Sequence, residues 1–91
     1  MLDVYKIRKD FPILGKKVNN TDLIYFDNAA TSQTPNQVID VISSYYKENN
    51  SNIHRGLHSL SADATNKYEN SRSVIKNHFG AAHDHEIIFT S

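Results

Sequence analysis

Two short apolar runs, Leu23-Ile-Tyr-Phe26 and Ile87-Ile-Phe89, most constrain what this chain can fold into. The second, within Glu86–Thr90, sets two isoleucines and a phenylalanine side by side. Successive side chains of a strand point to opposite faces, so such a run expects cover on both faces and neighbours on both edges. The chain offers only one further candidate, a small hairpin near Val18, and that is too few strands for a stable sheet. The sequence reads as the beginning of a longer protein. Composition agrees, because apolar residues reach only 38% of the 91 residues even with tyrosine counted, below the usual share of a globular domain.

Helices fill the space between the runs. Val4, Ile7 and Phe11 share one helical face over Asp3–Asp10, and Pro12 disfavours helix at the residue before it. Gly15 and the polar run Asn19 to Asp22 are turn material and predict the hairpin. Thr34-Pro-Asn-Gln37 is a helix start, with a capping hydroxyl, proline at the first helical position and a glutamine three residues on. Val38, Ile39, Ile42, Tyr45 and Tyr46 then form the stripe of a helix lying on a core, which Asn49, Asn50 and Ser51 stop. The longest helix is expected at about Ser61 to His78. Leu60, Ala64, Tyr68, Ser71, Ile75 and Phe79 step along it by three and four. Asp63, in its first turn, complements the helix dipole, and Gly80 supplies a left-handed stop.

Two loops differ in texture from the rest. Asp27-Asn-Ala-Ala-Thr-Ser32 has no large side chain, so its backbone can come close to a ligand, or it is an ordinary Asx-rich turn. Ser51–Thr65 contains His54-Arg-Gly-Leu-His58, two histidines, an arginine and a glycine within five residues. Apolar residues around them pin that loop at several points, and Gly56 permits a close backbone approach. Together the two loops could wall an anionic small-molecule site, with Arg55 as a fixed forked charge and His54 or His58 moving protons. A structural salt bridge and hydrogen-bonded packing explain the same residues one at a time.

Other chemistries have less support. Net charge is zero, with ten basic and ten acidic residues and no long run of either sign, so no nucleic-acid footprint is visible. Cysteine is absent, which removes disulfides and thiol chemistry from these residues. No stretch has the length of a membrane span, and the first residues lack a signal-peptide core, so the cytoplasm is the expected location. His78, His83 and His85 have no shared-face spacing for a metal, and solvated histidines near a helix carboxyl end explain them better. No Gly-x-Ser-x-Gly elbow is present.

The order Tyr25-Phe-Asp-Asn-Ala-Ala-Thr31, Pro35, Gln37-Val-Ile-Asp40, His54-Arg-Gly-Leu-His58, Leu60-Ser61 and Ala64-Thr65 resembles the amino-terminal region of pyridoxal-phosphate-dependent cysteine desulfurases. The resemblance is to the Suf-type branch, which includes selenocysteine lyases, within the class V aminotransferases. It runs from Asp10-Phe-Pro12 through Ile87-Ile-Phe89. It implies an α/β fold of fold-type I: a large α/β domain plus a smaller α+β domain. About 1–58 would be the small-domain segment with active-site loops, and about 59–91 the start of the large domain. Ala29 and Ala30 would lie against the substrate amino acid, and His54, Arg55 and Gly56 would line the active-site entrance and dimer contact. Thr90 and Ser91 would just precede the segment that holds the cofactor phosphate. The family's Schiff-base lysine and persulfide-forming cysteine match no position here, so catalytic, cofactor-binding and metal residues are expected to be absent from these 91 residues.

The expected full-length protein is a homodimer that converts L-cysteine (or L-selenocysteine) to L-alanine and passes sulfur to an acceptor protein of the Suf system for iron–sulfur assembly. The chain alone is expected to be inactive. Two alternatives stand beside this: another class V enzyme, kynureninase-like or epimerase-like, or a short non-enzymatic binding or regulatory module.

Overall fold

The computed structural model describes residues 1–54 and 56–91. The chain forms two compact units, Met1–Tyr45 and Tyr46–Ser91.

In the first unit, helix α1 (Val4–Arg8) is capped by Asp3, whose carboxylate accepts the Lys6 N–H at 3.1 Å. Asp and its short-chain relatives favour this position because they satisfy a helix donor that has no intrahelical partner. Pro12 begins a single 3₁₀ turn, Pro12–Gly15. The predicted hairpin follows, with β1 (Lys17–Val18) antiparallel to β2 (Thr21–Asp22) and Lys17 opposite Asp22. Its two turn residues, Asn19 and Asn20, have φ of 51° and 64°. Both angles lie in the left-handed region that a two-residue primed turn requires and that asparagine tolerates. Lys17 and Asp22 form an ion pair across the ladder.

Leu23–Phe26 departs from expectation. It forms no strand among the described residues, although the Leu23 N–H reaches back to the Lys16 carbonyl at 3.3 Å. Ile24 is 76% exposed and Phe26 94%. A strand is held by its ladder, and the only ladder described is that of the hairpin, so this run keeps its shape without the burial its residues call for.

Helix α2 (Asn36–Glu48) starts one residue after Pro35, whose carbonyl accepts the N–H of Ile39 at 3.1 Å. Asn36 donates its own N–H to the Asp10 carbonyl at 2.7 Å. None of the residues of α2, its apolar stripe included, is buried among the described residues.

In the second unit, helix α3 (Ser59–Phe79) begins two residues earlier than its periodicity predicts, because His58 caps it. The imidazole Nδ1 of His58 accepts the Ser61 N–H at 3.3 Å. Asp63 consequently falls beyond the first turn. Gly80, at φ 71°, ends the helix as expected. The Gly80 N–H returns to Asn77 and the Ala81 N–H to Lys76, the paired bonds of a Schellman motif. A 3₁₀ turn, Asp84–Glu86, follows. Residues 87–90 form no strand among the described residues, where a strand is predicted, and Ile88 is 77% exposed. Among the described residues only Ser61 and Ala64 are buried. Burial on that scale supplies little of the hydrophobic driving force that a self-sufficient domain needs.

Candidate functional site

The two loops singled out by sequence fall in different units. In the first unit, the Asp27–Ser32 loop is one tight turn. The Asp27 carbonyl accepts the N–H groups of Ala30 and Thr31, each at 3.1 Å. The Tyr25 hydroxyl lies within bonding reach of the Asp27 carbonyl (3.1 Å) and the Thr31 carbonyl. One hydroxyl has one proton to donate, so it closes the turn through either carbonyl but not both at once. Ala29 and Ala30 are exposed on the turn. Beside it an open cleft of about 720 Å³ is lined by Arg8, Phe11, Leu23, Tyr25, Asn28 and Ser32 among others. Arg8 reaches the Leu23 carbonyl at 3.5 Å. The loop therefore presents small side chains and backbone beside a cleft that contains one guanidinium.

In the second unit, Ser61 organises the other loop. Its hydroxyl donates to the Asn52 carbonyl at 2.7 Å and accepts the Gly56 N–H at 3.1 Å. A Cβ on residue 56 would lie 2.5 Å from the Ser61 oxygen and 2.6 Å from its Cβ. The glycine thus permits a close approach, as the sequence predicted, and the atom approached is a buried hydroxyl. Arg55 lies outside the described residues.

His54 sits at φ 62°, a left-handed conformation that costs a non-glycine residue of order 1–3 kcal/mol. Helix α3 holds it there at three points. Its N–H donates to Thr65 Oγ1 at 2.9 Å, its Nε2 pairs with Glu69 Oε1 at 2.7 Å, and its ring meets Tyr68 edge-on with centroids 5.3 Å apart. Arg72 donates through Nε to the second Glu69 oxygen at 3.0 Å and through Nη1 to the Ile87 carbonyl. Its guanidinium lies 4.7 Å from the Phe89 ring centre. The Glu69 carboxyl is held below its ordinary value, first by the Arg72 hydrogen bond and then by that of His54.

The sequence singles out His54, Gly56 and His58, and gives Ser61 as the helix start and Thr65 as the end of the stretch without assigning either hydroxyl a role. Glu69 and Arg72 lie off the apolar stripe of α3, and the sequence singles out neither as a site residue. The available signal was the spacing of Ser61, Thr65, Glu69 and Arg72, four, four and three apart, which puts a polar row on one face of α3.

Pyridoxal phosphate would need an amine for its aldehyde and a cradle of donors for its phosphate. Lys17, Lys67 and Lys76 are engaged by Asp22, Asn49 and Asp84. No lysine lines the cleft of the first unit. That cleft does not by itself fit the group. Among the described residues no cluster of three metal-ligating side chains occurs, and His83 and His85 stack ring on ring with centroids 5.2 Å apart. Among the described residues no helix is long and apolar enough to cross a membrane.

Residues 24–91 match the family model for aminotransferase class-V. A probable cysteine desulfurase of Staphylococcus epidermidis (strain RP62A) is 53% identical over 88 residues, which is 97% of this chain and 21% of that protein. A probable cysteine desulfurase of Staphylococcus aureus (strain N315) is 52% identical over the same length. The apo structure of a cysteine desulfurase from Thermococcus onnurineus NA1 superposes with a TM-score of 0.73 at 41% identity, covering 90% of this chain and 19% of that one. The chain spans about a fifth of the length of the curated relatives it matches. Its fold is part of the fold-type I α/β architecture that the resemblance implied. A family model matched from Ile24 to the last residue, over both loops and all of α3, makes this chain a member of the class V aminotransferase family.

Proposed function

We propose that this chain is the amino-terminal part of a pyridoxal-phosphate-dependent cysteine desulfurase of the Suf type. The observation that carries the reading is the 53% identity to a probable cysteine desulfurase across 97% of the chain. The overall reaction balances without an outside oxidant. The C–S bond of L-cysteine breaks, a protein thiol takes the sulfur as a persulfide, and L-alanine leaves. The thiol is oxidised and the substrate carbon reduced. The cofactor, once bound, supplies the electron sink for that cleavage.

These residues contribute walls rather than reagents. Ala29 and Ala30 leave room for the amino-acid substrate on the Tyr25-braced turn, while His54, Arg55 and Gly56 line the entrance near a dimer contact. Thr90 and Ser91 lead into the phosphate-holding segment. About 1–58 belong to the small-domain side and active-site loops, and about 59–91 begin the large α/β domain. The cofactor's lysine and the acceptor cysteine come from sequence outside these 91 residues, which contain no cysteine. The enzyme is a cytoplasmic homodimer that supplies sulfur to a Suf acceptor protein for iron–sulfur assembly, and the 91 residues alone are inactive.

The test is product analysis on the full polypeptide that carries this segment. With pyridoxal phosphate and L-cysteine it forms alanine and protein-bound sulfur in equal amounts. Cleavage of kynurenine or epimerisation of an amino acid, without alanine from cysteine, would overturn the assignment.

A further inference from the structure

The row of side chains behind His54 does more than fill a surface. Ile87, Arg72, Glu69 and His54 form an unbroken line of hydrogen bonds running from the last segment, across α3, to the strained turn. Each oxygen of the Glu69 carboxylate has one partner, Oε1 with the imidazole and Oε2 with the guanidinium. Arg72 is held in turn by the Phe89 and Tyr68 rings, 4.7 and 5.7 Å from its guanidinium carbon. A charged acceptor shared by two donors gives stronger and more directional bonds than a neutral one.

We infer that Glu69 and Arg72 are positioning residues that fix the His54 imidazole and couple its placement to the 87–89 segment, and so govern how substrate is admitted. The inference rests on the proposed desulfurase reading, in which His54 lines the entrance and residues 90–91 lead to the cofactor phosphate. Glutamine in place of Glu69 keeps the shape but replaces one carboxylate oxygen with an NH2 donor and removes the charge, so it no longer offers each donor its own anionic oxygen. Lysine in place of Arg72 keeps the charge but loses the fork that spans Glu69 and the Ile87 carbonyl. The left-handed turn at His54 then loses one of its three supports.

The experiment uses the full-length, cofactor-loaded polypeptide and two readouts. Amide hydrogen exchange at His54 and Gly56 reports the turn itself. Steady-state kinetics with L-cysteine report its use. Glu69→Gln and Arg72→Lys are each expected to speed exchange at His54 and to raise KM about two- to fivefold, the size of a partly exposed ion pair, with kcat little changed. In a His54→Ala background, Glu69→Gln has no further effect on KM. Unchanged exchange in both variants overturns the inference, as does faster exchange with unchanged KM or a KM effect that adds to that of His54→Ala. Faster exchange in a protein that never turns over cysteine leaves the line of bonds standing and removes the desulfurase reading instead.

Discussion

The two loops reach a defined shape by opposite means. The Asp27–Ser32 turn is self-contained: one carbonyl accepts two backbone N–H groups and one phenol braces the ends. The turn around His54 borrows its shape from α3, through Ser61, Thr65 and Glu69. The apolar runs repeat the contrast. Phe26 stands 94% exposed, whereas Phe89 packs edge-on against Tyr68 with centroids 4.9 Å apart and takes the Arg72 guanidinium on its face. A turn built from its own backbone survives most side-chain changes. A turn built on a neighbouring helix is as stable as the helix residues that reach it.

The contrast breaks most clearly at Gly56. Gly56→Ala drives a methyl into Ser61 and is expected to cost about 1–3 kcal/mol, the range of overpacking in a site that cannot expand. Gly15→Ala, where a Cβ meets nothing within 4 Å, is the control and should be close to neutral. Denaturant unfolding of the polypeptide carrying each variant measures both. Next comes Ser61→Ala, which strips a partner from the Gly56 N–H and the Asn52 carbonyl. Leaving such groups unpaired costs about 1–3 kcal/mol where water is excluded, and the lower end applies here because the loop is only partly covered. Faster amide exchange at Gly56 would locate the loss.

Much of this was legible in the sequence, for reasons that differ by region. Asn19-Asn20 announces its turn because few residues accept two successive left-handed angles, and Gly80 announces a helix end on the same ground. The start of α3 was misplaced by two residues because a histidine, an unusual cap, supplies the acceptor. The apolar runs 23–26 and 86–90 predict buried strands, and neither is a strand among the described residues, since pairing and cover depend on partners that local sequence does not contain. The His54–Glu69 contact joins residues fifteen apart, so no local pattern reveals it. The loops stand out by their texture and their family pattern, and only the structure shows which helix residues hold the second of them.

Acid sharpens the same comparison. The Glu69 carboxyl is held below its ordinary value by Arg72 first and His54 second, and that of Asp84 by Lys76 first and Ser73 second. A lowered folded pKa means the stabilisation is present above the unfolded values, about 4.3 and 3.9, and is lost as pH falls through the folded ones. The protection of the amides at His54 and along 84–87, relative to the intrinsic exchange rate, should therefore fall as pH is lowered below about 4. The Ala30 and Thr31 amides, held by a backbone carbonyl, should keep their protection relative to the intrinsic rate.

The smallest effect belongs to Tyr25→Phe. Losing one hydroxyl from an exposed turn that retains two backbone bonds should cost about 0.5 kcal/mol or less. Chemical-shift changes confined to residues 27–32 would confirm that the turn stands on its own, whereas loss of the Ala30 and Thr31 protections would show that it leans on Tyr25 as heavily as the other loop leans on α3.

On the proposed reading these residues wall a cofactor that is anchored by sequence they do not contain, so pyridoxal phosphate titrated into the 91-residue chain should give no stoichiometric absorbance band beyond what any lysine-bearing protein gives. A saturable one-to-one band that disappears on replacing one of the chain's own lysines would contradict it.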